Sequence, residues 1–186
     1  CLRNLILEME ESLRTTLSCR VRLNLHLEDG STLVRGDAAQ IRQVIINLFT
    51  NASEAIGDRD GLITVAAGVR GWSANELSQA VEDNGLPSGD YAWFEVTDNG
   101  CGMNEATQQR AFDPFFSTKF TGRGLGLPAV LGIIRGHKGA LFLRSEPARG
   151  SSLRVLFPAF SPGPAAVTTW SPSPESWRGS GTVLLV

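Results

Sequence analysis

The sequence predicts an α/β domain, because segments with the periodicity of helices alternate with segments that have the periodicity of strands. Apolar residues recur at three- and four-residue steps in amphipathic helices predicted over about 2–17, 38–56 and 127–134. Alternating or continuous apolar runs predict strands over 21–27, 62–69, 91–98, 140–144 and 152–157, the last two as a β-hairpin. With 186 residues, 42% of them hydrophobic, the chain can bury the core of one domain plus appendages.

The composition excludes several classes of protein. A net charge of −2, with Lys119 and Lys138 as the only lysines, gives no basic surface for nucleic acid or for an anionic membrane. No apolar run approaches the roughly 20 residues that a membrane span requires. Three cysteines without metal-ligand spacing and two distant histidines indicate no zinc site and predict a reducing, cytoplasmic setting.

His26 is the first candidate functional residue along the chain, on the polar face of the strand 21–27. A role as phosphoacceptor is one interpretation, and a solvated histidine on a strand is the other, which we favour. His137 follows the helix 127–134, where we predict that it caps the helix end.

The helix 38–56, with Asp37 as its predicted N-cap, carries an unusual polar stripe beside its apolar one. Its members are mostly amides, where an exposed helix would carry Lys and Glu: Gln40, Gln43, Asn47, Asn51 and Glu54. Asn47 and Asn51 are one turn apart, so their amides lie side by side. This pair suits a Mg²⁺ ion that keeps most of its waters and shares the rest with phosphate oxygens. A merely solvated face is the alternative.

The strand 91–98 ends in a carboxylate on its apolar face, since Asp98 follows Ala92, Phe94 and Val96 with a period of two. Burial of a carboxylate is costly unless it is paired. The glycines of the next turn, 99–102, allow the backbone to approach a ligand closely. Asp98 above this turn could accept a hydrogen bond from a neutral donor such as a base amine, with a simple capped turn as the alternative.

A long segment between two glycine-rich turns predicts a lid over a ligand. Residues 103–121 have little periodicity, and a segment of this kind is either a packed loop or a mobile lid, which we favour. Lys119 would then supply a cation to a terminal phosphate. The sequence GRGLGL at 122–127 precedes an apolar-periodic run, and N–H groups at such a helix start form an anion site that suits phosphate. The P-loop pattern and the dinucleotide fingerprint do not occur.

The C-terminal part differs in composition from the rest. Residues 161–181 are rich in Ser, Pro and Gly, which predicts an extended linker, and 182–186 form a β-type run like the first strand of another domain. Because Cys1 has no preceding Met, we expect the chain to be a piece of a longer protein.

Four motifs, in this order, resemble those of the GHKL (Bergerat-fold) ATPases and, among them, the ATP-binding catalytic domain of sensor histidine kinases: QVIINLFTNASEA, DNGCGM, FDPFFSTK and GRGLGLPAVLGII. The resemblance implies a two-layer α/β sandwich with a mixed, mainly antiparallel sheet of about five strands, about three helices on one face, and an ATP lid. It implies that 1–20 lead in from a dimerisation and phosphoacceptor domain, that 21–160 form the catalytic domain, and that 182–186 begin a receiver domain in cis, as in a hybrid kinase.

The resemblance also implies roles for individual residues. Asn51 would bind Mg²⁺, Asn47 would assist at the phosphates, and Asp98 would bind the adenine amine beside Ser151, which stands where the family usually has Thr. The residues that line the base would be Gly100, Gly102 and Met103. Backbone N–H groups to the phosphates would come from Gly122, Gly124, Leu125 and Gly126, in a motif that closes with Leu127. The lid residues near the γ-phosphate would be Thr118, Lys119, Thr121 and Arg123.

The residue at position 47 separates the possible reactions. Relatives that hydrolyse ATP, and the anti-sigma serine kinases, carry Glu there, whereas an amide cannot act as a general base. The resemblance therefore implies transfer of the γ-phosphoryl group of ATP·Mg²⁺ to a histidine, with Asn47 and Lys119 as catalytic residues. No phosphoacceptor motif occurs in this chain, so we expect little or no turnover by it alone. An inactive pseudokinase that senses nucleotide or binds partners is the alternative.

Overall fold

The computed structural model describes residues 1–29, 32–82, 85–118 and 124–160. In chain order the elements are α1 (Leu2–Thr16), β1 (Val21–Leu27), α2 (Ala38–Ile56), β2 (Gly61–Trp72), α3 (Ala74–Leu77), β3 (Gly89–Asp98), α4 (Glu105–Arg110), α5 (Gly126–Gly136), β4 (Ala140–Glu146) and β5 (Gly150–Pro158). The predicted linker 161–181 and strand 182–186 lie outside these residues. Within the described parts, no helix is both long enough and apolar enough to cross a membrane.

The sheet has the order β1-β2-β3-β5-β4, with a parallel pair, β1 and β2, and antiparallel pairing elsewhere. The prediction of a mixed, mainly antiparallel sheet of five strands is confirmed. Asp98, at the end of β3, lies in register with Ile63 on one side and with Ser151 on the other. The carboxylate is therefore held in the middle of the sheet, at the end where β3 turns toward α4.

One face of the sheet carries the main helices, α1, α2 and α5. The centre of this layer is α2, whose Val44, Ile45 and Leu48 are fully buried against the strands. The α2 helix begins where predicted, because the Asp37 carboxylate accepts hydrogen bonds from the Ala39 and Gln40 N–H groups. The apolar side of α1 joins the same core, so the lead-in helix is packed against the domain, while the proposed boundary at residue 20 stays a prediction.

The structure departs from the predicted elements in two places. The segment 103–121, predicted as a loop, contains α4, which begins where the Asn104 side chain accepts a hydrogen bond from the Thr107 N–H at 2.9 Å. Six residues are too few for helical periodicity to appear in a sequence. The strand predicted over 62–69 is longer, since β2 runs to Trp72, and the short helix α3 follows it.

Residues 73–82 and 85–88 form a strap across the other face of the sheet, which we call the outer face. Leu77 of the strap is buried with Trp72, Tyr91 and Leu156 in a second apolar cluster. The Val81 N–H donates to the Leu141 carbonyl at 2.7 Å, on the free edge of β4. The strap therefore covers both apolar surface and part of an edge strand that would otherwise be open to pairing.

His137 connects the helices α5 and α2. As predicted, it follows α5 as the C-cap. Its Nδ1 lies 2.8 Å from the Ile133 carbonyl oxygen, so this nitrogen carries the ring proton, and its Nε2 accepts from the Asp37 N–H at 3.1 Å. The ring also meets Phe157 edge to face, with a centroid distance of 5.7 Å. One side chain thereby fixes the end of α5 to the start of α2.

We expect His137→Ala to lower the free energy of unfolding by about 2 kcal/mol, because it removes two hydrogen bonds and an aromatic contact. The matched control is His26→Ala, which truncates an exposed histidine on β1 and should stay within about 0.5 kcal/mol of the parent chain. Urea unfolding of the two variants measures the difference. Equal midpoints for both would show that His137 does not connect the helices.

Candidate functional site

A cavity of about 340 Å³ opens between the C-terminal half of α2, the turn after β3 and the start of α5. Most of the described candidate residues line it: Asn47, Asn51, Asp98, Gly102, Met103, Thr118, Gly124, Leu125, Gly126, Leu127 and Ser151. Gly100 does not line it. Four further candidates, Lys119, Thr121, Gly122 and Arg123, lie outside the described residues.

Asp98 forms the inner end of the cavity. The residue is 5% exposed, and its Oδ1 accepts a hydrogen bond from the Gly100 N–H at 2.7 Å. On the neighbouring strand Ser151 is also buried, and its hydroxyl lies 2.9 Å from that of Ser145, which accepts from the Met103 N–H. A buried carboxylate oriented by the backbone in this way is suited to bind a neutral N–H donor.

The glycines of the turn after β3 allow two close approaches of the backbone. Gly102 has a φ of +64°, and a Cβ atom there would lie 1.9 Å from the Glu146 carbonyl oxygen. A Cβ atom on Gly100 would lie 2.6 Å from the Ala55 carbonyl carbon, so this glycine seats the turn against α2. The Cys101 N–H donates to the Ala55 carbonyl at 2.9 Å and holds the turn in place. The turn is therefore fixed in position and forms one rigid wall of the cavity.

The two asparagines of α2 face the start of α5. Gln43 donates to the Asn47 Oδ1 at 3.0 Å, and the Asn47 Nδ2 lies 3.5 Å from the Gly126 carbonyl oxygen. The Asn51 Nδ2 is buried and has no hydrogen-bond partner among the described residues. A Cβ atom on Gly126 would come to 3.9 Å of this nitrogen, so Gly126 leaves space beside the amide. Unlike the amide of Asn47, that of Asn51 makes no hydrogen bond within the described part of the chain.

The N-terminus of α5 borders the cavity without a side-chain cap, since its N-cap residue is Leu125. Its first N–H groups are thus available to an anion, and the helix dipole favours negative charge there. Gly124, with φ +65°, packs so tightly that a Cβ atom would lie 2.5 Å from the Phe115 carbonyl carbon. The Phe115 N–H donates to the Gly124 carbonyl at 2.9 Å. The start of α5 is in this way tied to the segment that follows α4.

A second set of lining residues was not predicted from the sequence. Thr107 and Ala111 come from α4 and the residue that follows it, and Phe116 and Ser117 come from the predicted lid segment. The missed signal is Asn104, a good N-cap residue followed by Glu105 in the first turn. Glu54, noted on the amide stripe but given no role, also lines the cavity.

The described residues contain no group of His, Cys, Asp and Glu side chains that could hold a metal ion. A divalent ion in this cavity would therefore have few protein ligands and would retain waters and ligand oxygens, as Mg²⁺ does. The unused amide of Asn51, next to an uncapped helix N-terminus, fits this requirement.

Comparisons with known proteins agree with this geometry. A "putative sensor protein" of Shewanella frigidimarina is 31% identical over 156 residues, which cover 83% of this chain and 21% of that protein. The sensory histidine kinase/phosphatase NtrB of Rhizobium meliloti is 38% identical over 141 residues, or 75% of this chain and 36% of the relative. The nucleotide-free catalytic domain of the histidine kinase ThkA superposes with a TM-score of 0.60 at 26% identity, over 85% of this chain and 90% of that one.

This chain thus spans between about a fifth and about a third of the length of these two curated relatives. The comparisons do not favour the alternative of an inactive module. Residues 36–161 match the family described as histidine kinase-, DNA gyrase B- and HSP90-like ATPase. The chain belongs to this family, as an ATP-binding catalytic domain of the kind found in two-component histidine kinases.

Proposed function

We propose that ATP binds in the cavity with its adenine amine on Asp98 and its phosphates at the start of α5. The orientation of ATP in the cavity follows from α2. This helix borders the cavity from Asn47, which lies beside Gly126, to Ala55, which lies beneath the turn after β3. The eight steps from residue 47 to residue 55 rise by about 12 Å, which separates a base site from a phosphate site. The buried carboxylate at one end supports the base site, and the uncapped helix N-terminus at the other supports the phosphate site.

We further propose that Asn51 contributes the protein ligand of a Mg²⁺ ion. The ion would bind to the amide oxygen, Oδ1, and the support is that neither this oxygen nor the buried Nδ2 has a hydrogen-bond partner among the described residues. Asn51 would hold the ion beside the phosphates, where it would supply positive charge against the negative charge that develops during phosphoryl transfer. Asn47 links α2 to the start of α5, since its Oδ1 accepts a hydrogen bond from Gln43 and its Nδ2 approaches the Gly126 carbonyl oxygen.

The reaction we propose is transfer of the γ-phosphoryl group to an imidazole nitrogen of a histidine on a separate domain. Hydrolysis would require a general base near the γ-phosphate, and position 47 holds an amide. Glu54 also lines the cavity, but it lies seven residues from Asn47, or about 10 Å along α2 toward the adenine end. The domain then accelerates transfer by positioning the phosphates and stabilising their charge.

The partners follow from this proposal. A dimeric helical domain would supply the histidine, and a receiver domain, in cis if 182–186 are its first strand, would take the phosphoryl group from it. The relatives' printed names, sensor protein and sensory histidine kinase, support a signalling role. The cytoplasmic setting is part of this proposal, supported by three cysteines that are all free.

The test is phosphotransfer from γ-labelled ATP. We expect phosphohistidine, stable to base and labile to acid, only when a histidine-bearing helical domain is supplied in trans, and no steady release of phosphate by the chain alone. Steady ATP hydrolysis that disappears in Asn51→Ala would contradict the proposed reaction, since it would mean that water is the acceptor.

We expect Asn51→Ala to remove most of the Mg²⁺ dependence of nucleotide binding. In calorimetric titrations with a non-hydrolysable ATP analogue, the affinity gained on adding Mg²⁺ should fall by roughly tenfold, or about 1.4 kcal/mol. Gln40→Ala is the matched control, because Gln40 lies on the same helix, is exposed and does not line the cavity. Equal Mg²⁺ effects in the two variants would exclude Asn51 as the ligand.

A further inference from the structure

The outer face of the sheet holds a second pocket, of about 140 Å³, beside the strap. Its walls are formed by Arg70 and Trp72 at the end of β2, Phe142 and Arg144 of β4, and Arg154 of β5. We call it the arginine pocket. It lies across the sheet from the nucleotide cavity, because its strand residues alternate with those that face α2. Its function is therefore separate from the one proposed above.

The carboxylates of the arginine pocket are already engaged. Glu95 accepts from the Arg154 Nη2 at 2.8 Å and also from the Ser152 hydroxyl. Glu76 accepts from the Ser73 N–H at 2.9 Å, from its hydroxyl at 2.8 Å and from the Arg70 Nη1 at 3.1 Å. The hydrogen bonds from Ser73, more than the one from Arg70, lower the pKa of Glu76, so this carboxylate is charged and committed at neutral pH.

Hydrogen-bond donors, in contrast, are in excess. Arg144 has no ion pair or side-chain hydrogen bond within the described residues. Two further donors of the lining residues, the Arg154 Nε and the Trp72 Nε1, are buried and have no acceptor in the same part of the chain. Three arginines against two glutamates also leave the pocket with one uncompensated positive charge. Buried donors without acceptors are unfavourable, and a bound acceptor would satisfy them.

Aromatic rings hold two of the three arginines, Arg70 and Arg154, in place. Trp72 stacks on Phe142 with a centroid distance of 5.3 Å, and the Arg70 guanidinium carbon lies 3.5 Å from the centre of the Trp72 ring. The Arg154 guanidinium carbon lies 5.1 Å from the centre of the Trp93 ring. Stacked guanidinium groups keep their in-plane donors free for a planar acceptor. These two side chains are therefore preorganised.

We propose that the arginine pocket binds one carboxylate group. A planar, singly charged carboxylate matches a guanidinium fork and the single excess charge, and it is small enough for a pocket less than half the volume of the nucleotide cavity. The group comes either from a small organic acid or from an Asp or Glu side chain of a bound polypeptide. Arg144 is the primary ligand, with Arg154 beside it.

Nitrogen-15 NMR of the folded chain tests this proposal through the tryptophan indole signals, of which that of Trp72 is assigned by its loss in Trp72→Phe. With sodium acetate, at ionic strength held constant with sodium chloride, we expect a saturable shift of the Trp72 signal with a Kd of about 1 mM. Arg144→Gln should weaken binding at least tenfold, and Arg144→Lys, which keeps the charge without the fork, should lie between. Arg149→Gln, on the exposed β4–β5 turn outside the pocket, should bind like the parent chain.

Several results would overturn the proposal: a shift that does not saturate, an equal shift with chloride alone, or unchanged binding in Arg144→Gln. A folded, non-binding Arg144→Gln supports it, with the urea midpoint as the check that the variant is folded. A short capped peptide with a single Glu distinguishes the two sources. Binding at least tenfold tighter than that of acetate would assign the carboxylate to a polypeptide, and equal binding would assign it to a small acid.

Discussion

Asp98→Asn is expected to weaken binding of a non-hydrolysable ATP analogue by about 100-fold. The carboxylate is 5% exposed and fixed by the Gly100 N–H at 2.7 Å, so it accepts a base amine without having to reorganise. A hydrogen bond to a charged acceptor contributes about 1.5–3 kcal/mol, which corresponds to roughly 10- to 150-fold in affinity. The amide has nearly the same shape, but it has lost the charge and presents a donor on one side.

Calorimetric titration of Asp98→Asn and of Asp90→Asn measures this effect. Asp90 lies on the same strand, is exposed and does not line the cavity, so its substitution should leave the affinity unchanged. Both variants should unfold at about the urea concentration of the parent chain, since an amide oxygen can still accept from Gly100. Equal affinities for the two variants would remove Asp98 from the adenine site and leave the cavity without a base-recognition group.

The elements that were predicted correctly are those with a long periodic pattern. The bounds of α2 match the prediction, since seven buried apolar residues and a capping Asp37 mark it. The strap was not predicted, because its apolar residues, such as Leu77 and Leu86, have no periodicity of their own. Their burial depends on strands from distant parts of the chain, and this is information that a local pattern does not contain.

The candidate site was predictable to a similar degree. Asp98 was identified because a carboxylate at the end of an apolar face is costly, and its burial agrees with that argument. Gly100, predicted to line the base, is not among the residues that line the cavity and packs against Ala55 of α2, and its role at the base stays a prediction. The arginine pocket was not foreseen, since Arg70, Arg144 and Arg154 come from three strands and are brought together by the register of the sheet.

Gly102→Ala is expected to lower the free energy of unfolding by about 3 kcal/mol and to abolish nucleotide binding. At φ +64° a side chain costs about 1 kcal/mol. The larger cost is steric, because the new Cβ atom would lie 1.9 Å from the carbonyl oxygen of Glu146 and 2.7 Å from its carbonyl carbon. A backbone atom cannot rotate away as a side chain can, so the turn after β3 has to move.

Movement of that turn would also disturb the nucleotide site, because Met103 and Asp98 lie on either side of it and both line the cavity. Gly132→Ala is the matched control. Gly132 lies in the middle of α5, and a Cβ atom there meets nothing within 4 Å, so alanine should stabilise the helix by about 0.5–1 kcal/mol. Urea unfolding should therefore shift in opposite directions for the same substitution at these two glycines. If Gly102→Ala unfolded at the midpoint of the parent chain and bound nucleotide normally, the close contact with Glu146 would not be a requirement of the fold.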